Sequence, residues 1–393
     1  MPTGCRSRRP TSRPDAARRQ RLSSAWCDGN RGARRSPHER SRVLPEWTSL
    51  DCAPPSETHR QAALERQAQL TKPLGALGRL EQVAVEIAAL QTSERPSADR
   101  VPVVLFAGDH GIAAQGVSAY PPEVTVQMLH NFAAGGAAIS VLARGLGCPL
   151  EVVDVGTLAS APVPGVLVDK PRRGTRDFSV EAALAPAEVA FAVEAGRRAV
   201  ARQADHAPQL VIFGEMGIGN TTSAAAIAAA LLRCAPAEIV GSGTGLDADG
   251  RARKAAIIAA ALARHGLTSG AGVADILAAV GGLEIIAIAG AIIAAAQRRW
   301  PVLVDGFIVS VAALVAVRLN SSCRSWLLFS HRSAERGHAL VLEALGAHPL
   351  IDLDLRLGEA SGAATALPIL RLACALHNGM ATFAEAAVSG RGS

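Results

Sequence analysis

The sequence has few aromatic side chains: four Trp, one Tyr and eight Phe among 393 residues. This argues against stacking platforms of the kind that grip single-stranded nucleic acid. Lysine is scarcer still. Lys72, Lys170 and Lys254 are the only three, so arginine carries nearly all the positive charge. The seven cysteines (Cys5, Cys27, Cys52, Cys148, Cys234, Cys323 and Cys374) are scattered, odd in number and without a C-x-x-C pair. That pattern argues against a disulfide framework or a zinc site, and it fits reduced thiols in the cytoplasm. No apolar run of secretory type opens the chain. The longest apolar stretch, Ile285–Ala296, lies between Glu284 and Gln297. It is well short of the roughly 20 residues that cross a bilayer, so a buried core helix is expected and no membrane partner.

Several familiar signatures are also missing. No G-x-x-x-x-G-K-[ST] loop occurs, because Lys72 and Lys170 precede Pro and Lys254 precedes Ala. There is no G-x-G-x-x-G with a matching downstream acid, no H-E-x-x-H and no G-x-S-x-G. No two Asp residues are adjacent, which argues against the acidic motif of diphosphate-using phosphoribosyltransferases. No cluster of His, Cys and carboxylates shows metal-ligand spacing, so neither a metal nor a cofactor is expected.

The formal net charge of +6 belongs to one end of the chain. Residues 1–45 hold twelve Arg against Asp15, Asp28 and Glu39, a net +9, which leaves about −3 for the rest. Residues 1–53 are rich in Arg, Ser and Pro, lack apolar periodicity and are expected to be disordered. A basic nucleic-acid arm, a transit peptide or a start assigned too far upstream would each give such a tail. Order is expected from about residue 56. Glu57–Gln69 reads as a helix, broken at Thr71–Gly75. Leu77, Leu80, Val83, Ala84 and Ile87 then trace one face of a second helix.

From residue 101 onward, strand-like runs alternate with Ala-rich helical stretches. Val101–Phe106 runs into Gly108-Asp109-His110-Gly111, and Leu150–Val153 into Asp154 and Gly156. Gln209–Phe213 runs into Gly214-Glu215, Pro301–Val304 into Asp305-Gly306, and Pro349–Leu355 into Gly358-Glu359. Apolar strands that do not alternate are buried on both faces, which predicts a parallel sheet under helices. Their acidic ends are expected to ring one site with carboxylates and backbone amides. Glu359 is the most informative of them: a buried carboxylate at such a place can act as a general base. The alternative is a helix-capping Glu beside a turn.

Three polar loops could hold an anion. Gly217-Ile218-Gly219-Asn220-Thr221-Thr222 precedes an Ala-rich helix whose N-terminus suits a phosphate. Val240 to Gly245, with Gly241 and Gly243, is expected to follow a short strand and leads to Lys254. The third is Ser330 to His338, which offers hydroxyls and bases. Each has a structural alternative: a tight turn for the first two, and for the third a helix cap at Ser333 with Arg336 and His338 solvated. His110 is expected to stabilise its loop rather than to catalyse.

Taken in order, these motifs resemble the nicotinate-nucleotide–dimethylbenzimidazole phosphoribosyltransferase family over about residues 54–388. The stretches that carry the resemblance are TKPLGALGRLE (71–81), AGDHGIAAQGVSAYPPEVTVQM (107–128), GEMGIGNTTSAAA (214–226) and VGSGTGLD with Lys254. It continues through VGGLEIIAIAG (280–290), PVLVDGF (301–307), SHRSAERGH (330–338) and RLGEASGAA (356–364). The resemblance implies an α/β fold: a Rossmann-like parallel sheet flanked by helices over 101–345. A smaller helical domain would come from both chain ends, 54–100 and 346–393. It also implies a homodimer that needs no metal and acts in the cytoplasm on nicotinate mononucleotide and a benzimidazole-type base.

Glu359 then becomes the catalytic base, with Glu215 beside it. Gly217, Gly219, Asn220, Thr221, Thr222, Gly241, Gly243, Lys254, Asp305, Ser330, Ser333, Arg356 and Gly358 are expected around the nucleotide. Tyr120, Met128, Met216 and Leu357 are expected around the base; Tyr120 stands where some members carry Ser. Two other readings compete. One is a different N-glycosyl transfer, such as a nucleoside phosphorylase. The other is a non-catalytic nucleotide sensor whose basic tail contacts DNA.

Overall fold

The structure, a computed structural model, describes residues 44–243 and 245–389. The expected disorder of residues 1–43 lies outside the described residues. Six parallel strands form the central sheet: β1 (Val103–Gly108), β2 (Leu150–Gly156), β3 (Leu167–Val168), β4 (Val211–Met216), β5 (Val302–Val304) and β6 (Leu327–Phe329). Their spatial order is β3-β2-β1-β4-β5-β6. The order reverses between β1 and β4, and open α/β sheets bind ligands outside the carboxyl ends of strands at such a point. β1 is buried throughout, and β4 is buried except at its end, as their uniform apolar runs require.

The run Pro349–Leu355 does not join this sheet. Only Ile351–Asp352 forms a strand, β8, paired with β7 (His331–Arg332) in a separate two-stranded ribbon. Asp352, Leu353 and Asp354 are exposed. Charge at every second position, at Asp352, Asp354 and Arg356, makes burial on both faces too costly. Likewise Pro236–Ile239, expected as a strand before the Gly241 loop, is one helical turn.

The helix Leu283–Gln297 is buried along almost its whole length, and it packs against the sheet and against the helix Pro186–Arg202. The two helices cross backbone to backbone. A Cβ at Gly196 would overlap the backbone of Ala287 and Ala291, and one at Gly290 that of Val193. The apolar stretch Glu123–Leu146 has the length and composition to cross a bilayer. It is not one rod: Gly135, at φ +82°, ends the helix Glu123–Ala134, and a second helix starts at Ala138.

The first and last helices of the described residues lie on a common partner. Helix Glu57–Gln69 packs on helix Arg79–Gln91, which packs on helix Ser361–Gly379. Arg66 donates to the carbonyls of His377, Asn378 and Met380. Val83, Ile87, Leu367 and Leu370 continue the core under the sheet.

Order begins earlier than the composition suggests, and the assignment of residues 44–53 to a disordered tail is corrected. Glu46–Ser49 forms a 3-10 turn. Trp47 Nε1 donates to Glu194 at 2.6 Å, and Arg197 stacks on its ring. Gln297 and Asn320 donate to the carbonyls of Trp47, Thr48 and Leu50, and Trp326 to that of Ala53. Sparse anchors of this kind leave no period to read. A chain starting at Pro54 should lose about 3–6 kcal/mol, at roughly 0.5–1 kcal/mol for each of these lost hydrogen bonds. Its melting temperature should fall by several degrees against a chain starting at Leu44; equal melting temperatures would show that these contacts contribute nothing.

Candidate active site

A cavity of about 670 Å³ opens at the carboxyl ends of β4 and β5, a size typical of small-ligand sites. Its apolar lining comes from Tyr120, Val124, Met128, Met216, Ile218, Phe307, Ile308 and Leu357. Val124 and Met128 lie one turn apart on the helix Glu123–Ala134 and so share a face. Five carboxylates, Glu215, Asp305, Glu335, Asp354 and Glu359, line the same cavity.

Glu359 is set by a tight turn. Gly358, Glu359 and Ala360 have φ of +88°, +59° and +63°, and only the first is a glycine. A side chain at position 358 would overlap the Glu215 carboxylate. The turn leaves Glu359 7% exposed, and its Oε2 has no hydrogen-bond partner among the described residues. Burial pushes its carboxyl above the usual range. The nearby Asp305 charge adds to this, while the Ile139 backbone N–H opposes it.

Glu215 ends β4 and is held by Asn220 Nδ2 and by the Glu359 backbone N–H. Its carboxyl is raised well above the usual range, chiefly by burial and then by Glu284, Asp305 and Glu359. Glu284, in the first turn of the helix Leu283–Gln297, is fully buried. It meets His110 Nε2 at 2.7 Å. The His110 ring lies directly behind Gly217 and Gly219.

The second part of the site is a helix N-terminus. The helix Asn220–Leu232 starts after Gly219, whose φ of +96° favours glycine. Ile218 N–H donates to Thr125 Oγ1 at 3.0 Å and fixes the loop to the cavity wall. Lys254 Nζ reaches Thr221 Oγ1 at 2.6 Å. Arg356 Nη1 donates to the Gly243 carbonyl at 3.2 Å. Burial lowers the Lys254 amine to about 8, with Glu335 pushing the other way. Backbone amides, a hydroxyl and a buried cation at one helix start make an anion site.

The phosphoribosyltransferase family model DBI_PRT matches residues 52–388. A protein of a Bradyrhizobium species is 86% identical over 349 residues, covering 89% of this chain and 99% of its own. One from Pseudomonas aeruginosa is 58% identical over 347 residues, covering 88% and 99%. Both are named nicotinate-nucleotide–dimethylbenzimidazole phosphoribosyltransferase. The chain belongs to this phosphoribosyltransferase family. A crystal structure of the same-named enzyme from Thermus thermophilus superposes with a TM-score of 0.81 at 46% identity, covering 86% of this chain and all of that one.

In this phosphoribosyltransferase the cavity gathers most of the residues singled out from sequence. Glu359, Glu215, Gly217, Asn220, Thr221, Gly243, Asp305, Ser333, Arg356, Gly358, Tyr120, Met128, Met216 and Leu357 line it. Gly219, Thr222, Gly241, Lys254 and Ser330 do not line it, but stand behind the lining. Gly241 lies against the Glu335 side chain, and Ser330 Oγ pairs with His331 Nδ1 at 2.9 Å.

Of the five strand-end carboxylates expected to ring one site, Glu215, Asp305 and Glu359 line the cavity and Asp109 and Asp154 do not. Asp154 pairs with Lys170 at 2.6 Å, and Asp109 accepts from Leu158 N–H at 2.7 Å. His338 is not solvated: it is buried, bonded to Ser310 Oγ at 2.9 Å and to Ser333 N–H at 2.8 Å, and burial lowers it to about 3. Glu284, Phe307, Ile308 and His331 were not singled out from sequence. Glu284 stands in an apolar run that hides it, although its carboxylate is the one charge there. Among the described residues no group of three or more His, Cys, Asp or Glu side chains is placed to hold a metal ion.

Proposed function

We propose that this phosphoribosyltransferase moves the phosphoribosyl group of nicotinate mononucleotide to 5,6-dimethylbenzimidazole or a related base. The products are α-ribazole 5′-phosphate and nicotinate. The observation that carries this reading is the buried Glu359 carboxylate, which lines the cavity beside Thr221 and whose Oε2 has no hydrogen-bond partner among the described residues. One benzimidazole nitrogen attacks C1′ while the other gives its proton to Glu359. The C1′–N bond of the donor breaks, and its electron pair stays on the pyridinium nitrogen, which leaves as neutral pyridine. The leaving group therefore needs no acid. Attack opposite the leaving group turns the β-anomer into the α-anomer. Thr221, Lys254 and the N-terminus of the helix Asn220–Leu232 would hold the phosphate, and the apolar lining would take the base.

The enzyme is further read as a cytoplasmic homodimer. The five described cysteines are all unpaired, which fits a reducing compartment. Val141 and Leu372, on two helices that pack together, expose apolar surface that a second copy could cover. Light scattering on a sizing column measures the copy number.

Nicotinate release from nicotinate mononucleotide, with and without 5,6-dimethylbenzimidazole, tests the reaction. Release that requires the base supports it. Release that requires free phosphate instead points to a phosphorylase, and binding without turnover to a sensor. Turnover should also persist after exhaustive EDTA treatment. Loss of activity restored by magnesium or zinc would overturn the single-base mechanism.

A further inference from the structure

The helix Ser361–Gly379 carries Glu359 just ahead of its first turn, and it begins without a cap of its own. Ala360 has no side chain that accepts a hydrogen bond. The two residues ahead of the helix, Glu359 and Ala360, both occupy the left-handed region, where non-glycine residues are strained. A helix start leaves N–H groups that need acceptors, and a strained turn persists only when its surroundings hold it.

The missing acceptor comes from another strand. Asp305, just past β5, accepts from Ala363 N–H at 2.7 Å, and the N–H groups of Gly362 and Gly306 also point to it. The His331 ring packs so closely on Gly362 that a side chain there would overlap it. His331 Nδ1 is tied to Ser330 Oγ at 2.9 Å and lies 4.0 Å from Asp305 Oδ1. On the other side, Gly214 of β4 gives the room that the Glu359–Ala360 backbone occupies.

We infer that Asp305 and His331 are positioning residues that clamp the N-terminus of the helix Ser361–Gly379 and so fix the Glu359 carboxylate over the acceptor. Asp305 spends its charge on backbone amides rather than on a ribose hydroxyl. The inference rests on Glu359 being the base, and its test separates the two.

In the full chain, Asp305→Ala should lower kcat at least about tenfold. The Kd for nicotinate mononucleotide, measured without acceptor, should change less than about twofold. His331→Ala should show the same kcat-only loss. The decisive comparison is a double-mutant cycle. Groups that act through one another are non-additive. Adding Asp305→Ala to Glu359→Gln should therefore cost no more than about threefold beyond Glu359→Gln alone. Losses that multiply in full, or a rise in Kd matching the loss in kcat, would overturn the inference and put Asp305 on the substrate. A second readout does not depend on chemistry. Amide exchange at Gly362 and Ala363 should be at least about tenfold faster in Asp305→Ala, with β1 unchanged; equal exchange rates refute the clamp. Near-normal turnover in Glu359→Gln would remove the base assignment, and the exchange result would then decide the clamp by itself.

Discussion

Replacing Glu359 by Gln lowers turnover by about 10²–10⁴-fold, the usual range for removing a general base. Gln keeps the size and a carbonyl acceptor but cannot take the proton that the benzimidazole nitrogen must lose. The affinity for nicotinate mononucleotide should barely change, because the proposed phosphate contacts lie on the Thr221 and Lys254 side of the site. The pH profile carries a second signature. Glu359 must be ionised to act, and burial raises its carboxyl. Turnover should therefore fall as pH is lowered, starting at a higher pH than for a solvated carboxylate. Steady-state rates with both substrates saturating measure both effects. Near-normal turnover in the variant removes Glu359 from this role.

The second large effect concerns Lys254. Its amine is buried and lowered to about 8, and it sits on Thr221 at the start of the helix Asn220–Leu232. A bound phosphate favours the charged form. Affinity for nicotinate mononucleotide should be highest below about pH 8, where the free amine is already protonated, and should fall as pH rises through that value. Lys254→Met should weaken binding at pH 7 by about ten- to a hundredfold, since a charge-assisted hydrogen bond contributes about 1.5–3 kcal/mol. Lys254→Arg, which stays charged, should flatten the pH dependence. A flat profile in the wild-type protein would place Lys254 outside the phosphate site.

The sheet was legible because its strands are uniform. The runs at 101–106, 150–153, 209–213 and 301–304 carry almost no polar interruption, and each becomes a parallel strand. β3 and β6 are too short to leave such a run. The site was legible at Gly217–Thr222 and at Glu359, where glycines, hydroxyls and a lone acid stand together. It was misread where an acid follows a strand but turns to a structural partner: Asp154 to Lys170, and Asp109 to Leu158. Nothing local distinguishes these from Glu215, because their partners are set by the fold. The segment before Glu359 was misread for the opposite reason. Its alternating charges were there to see, but its apolar half suggested a core strand. Glu284 shows the remaining gap: a single acid in a run of Leu, Ile and Ala gains meaning only once His110 is placed beside it.

The crossing at Gly196 and Gly290 sets a ruler for this arrangement. Backbone touches backbone there, so the spacing between the two helices has no slack. Glu284 rides on the first turn of one of them, less than two turns before the crossing. A methyl group at either glycine would have to push that helix away by about its own width. The displaced end would be the one that bears on His110 and, through it, on the Gly217–Gly219 turn. A residue far from any substrate thus gauges the height of the active-site floor.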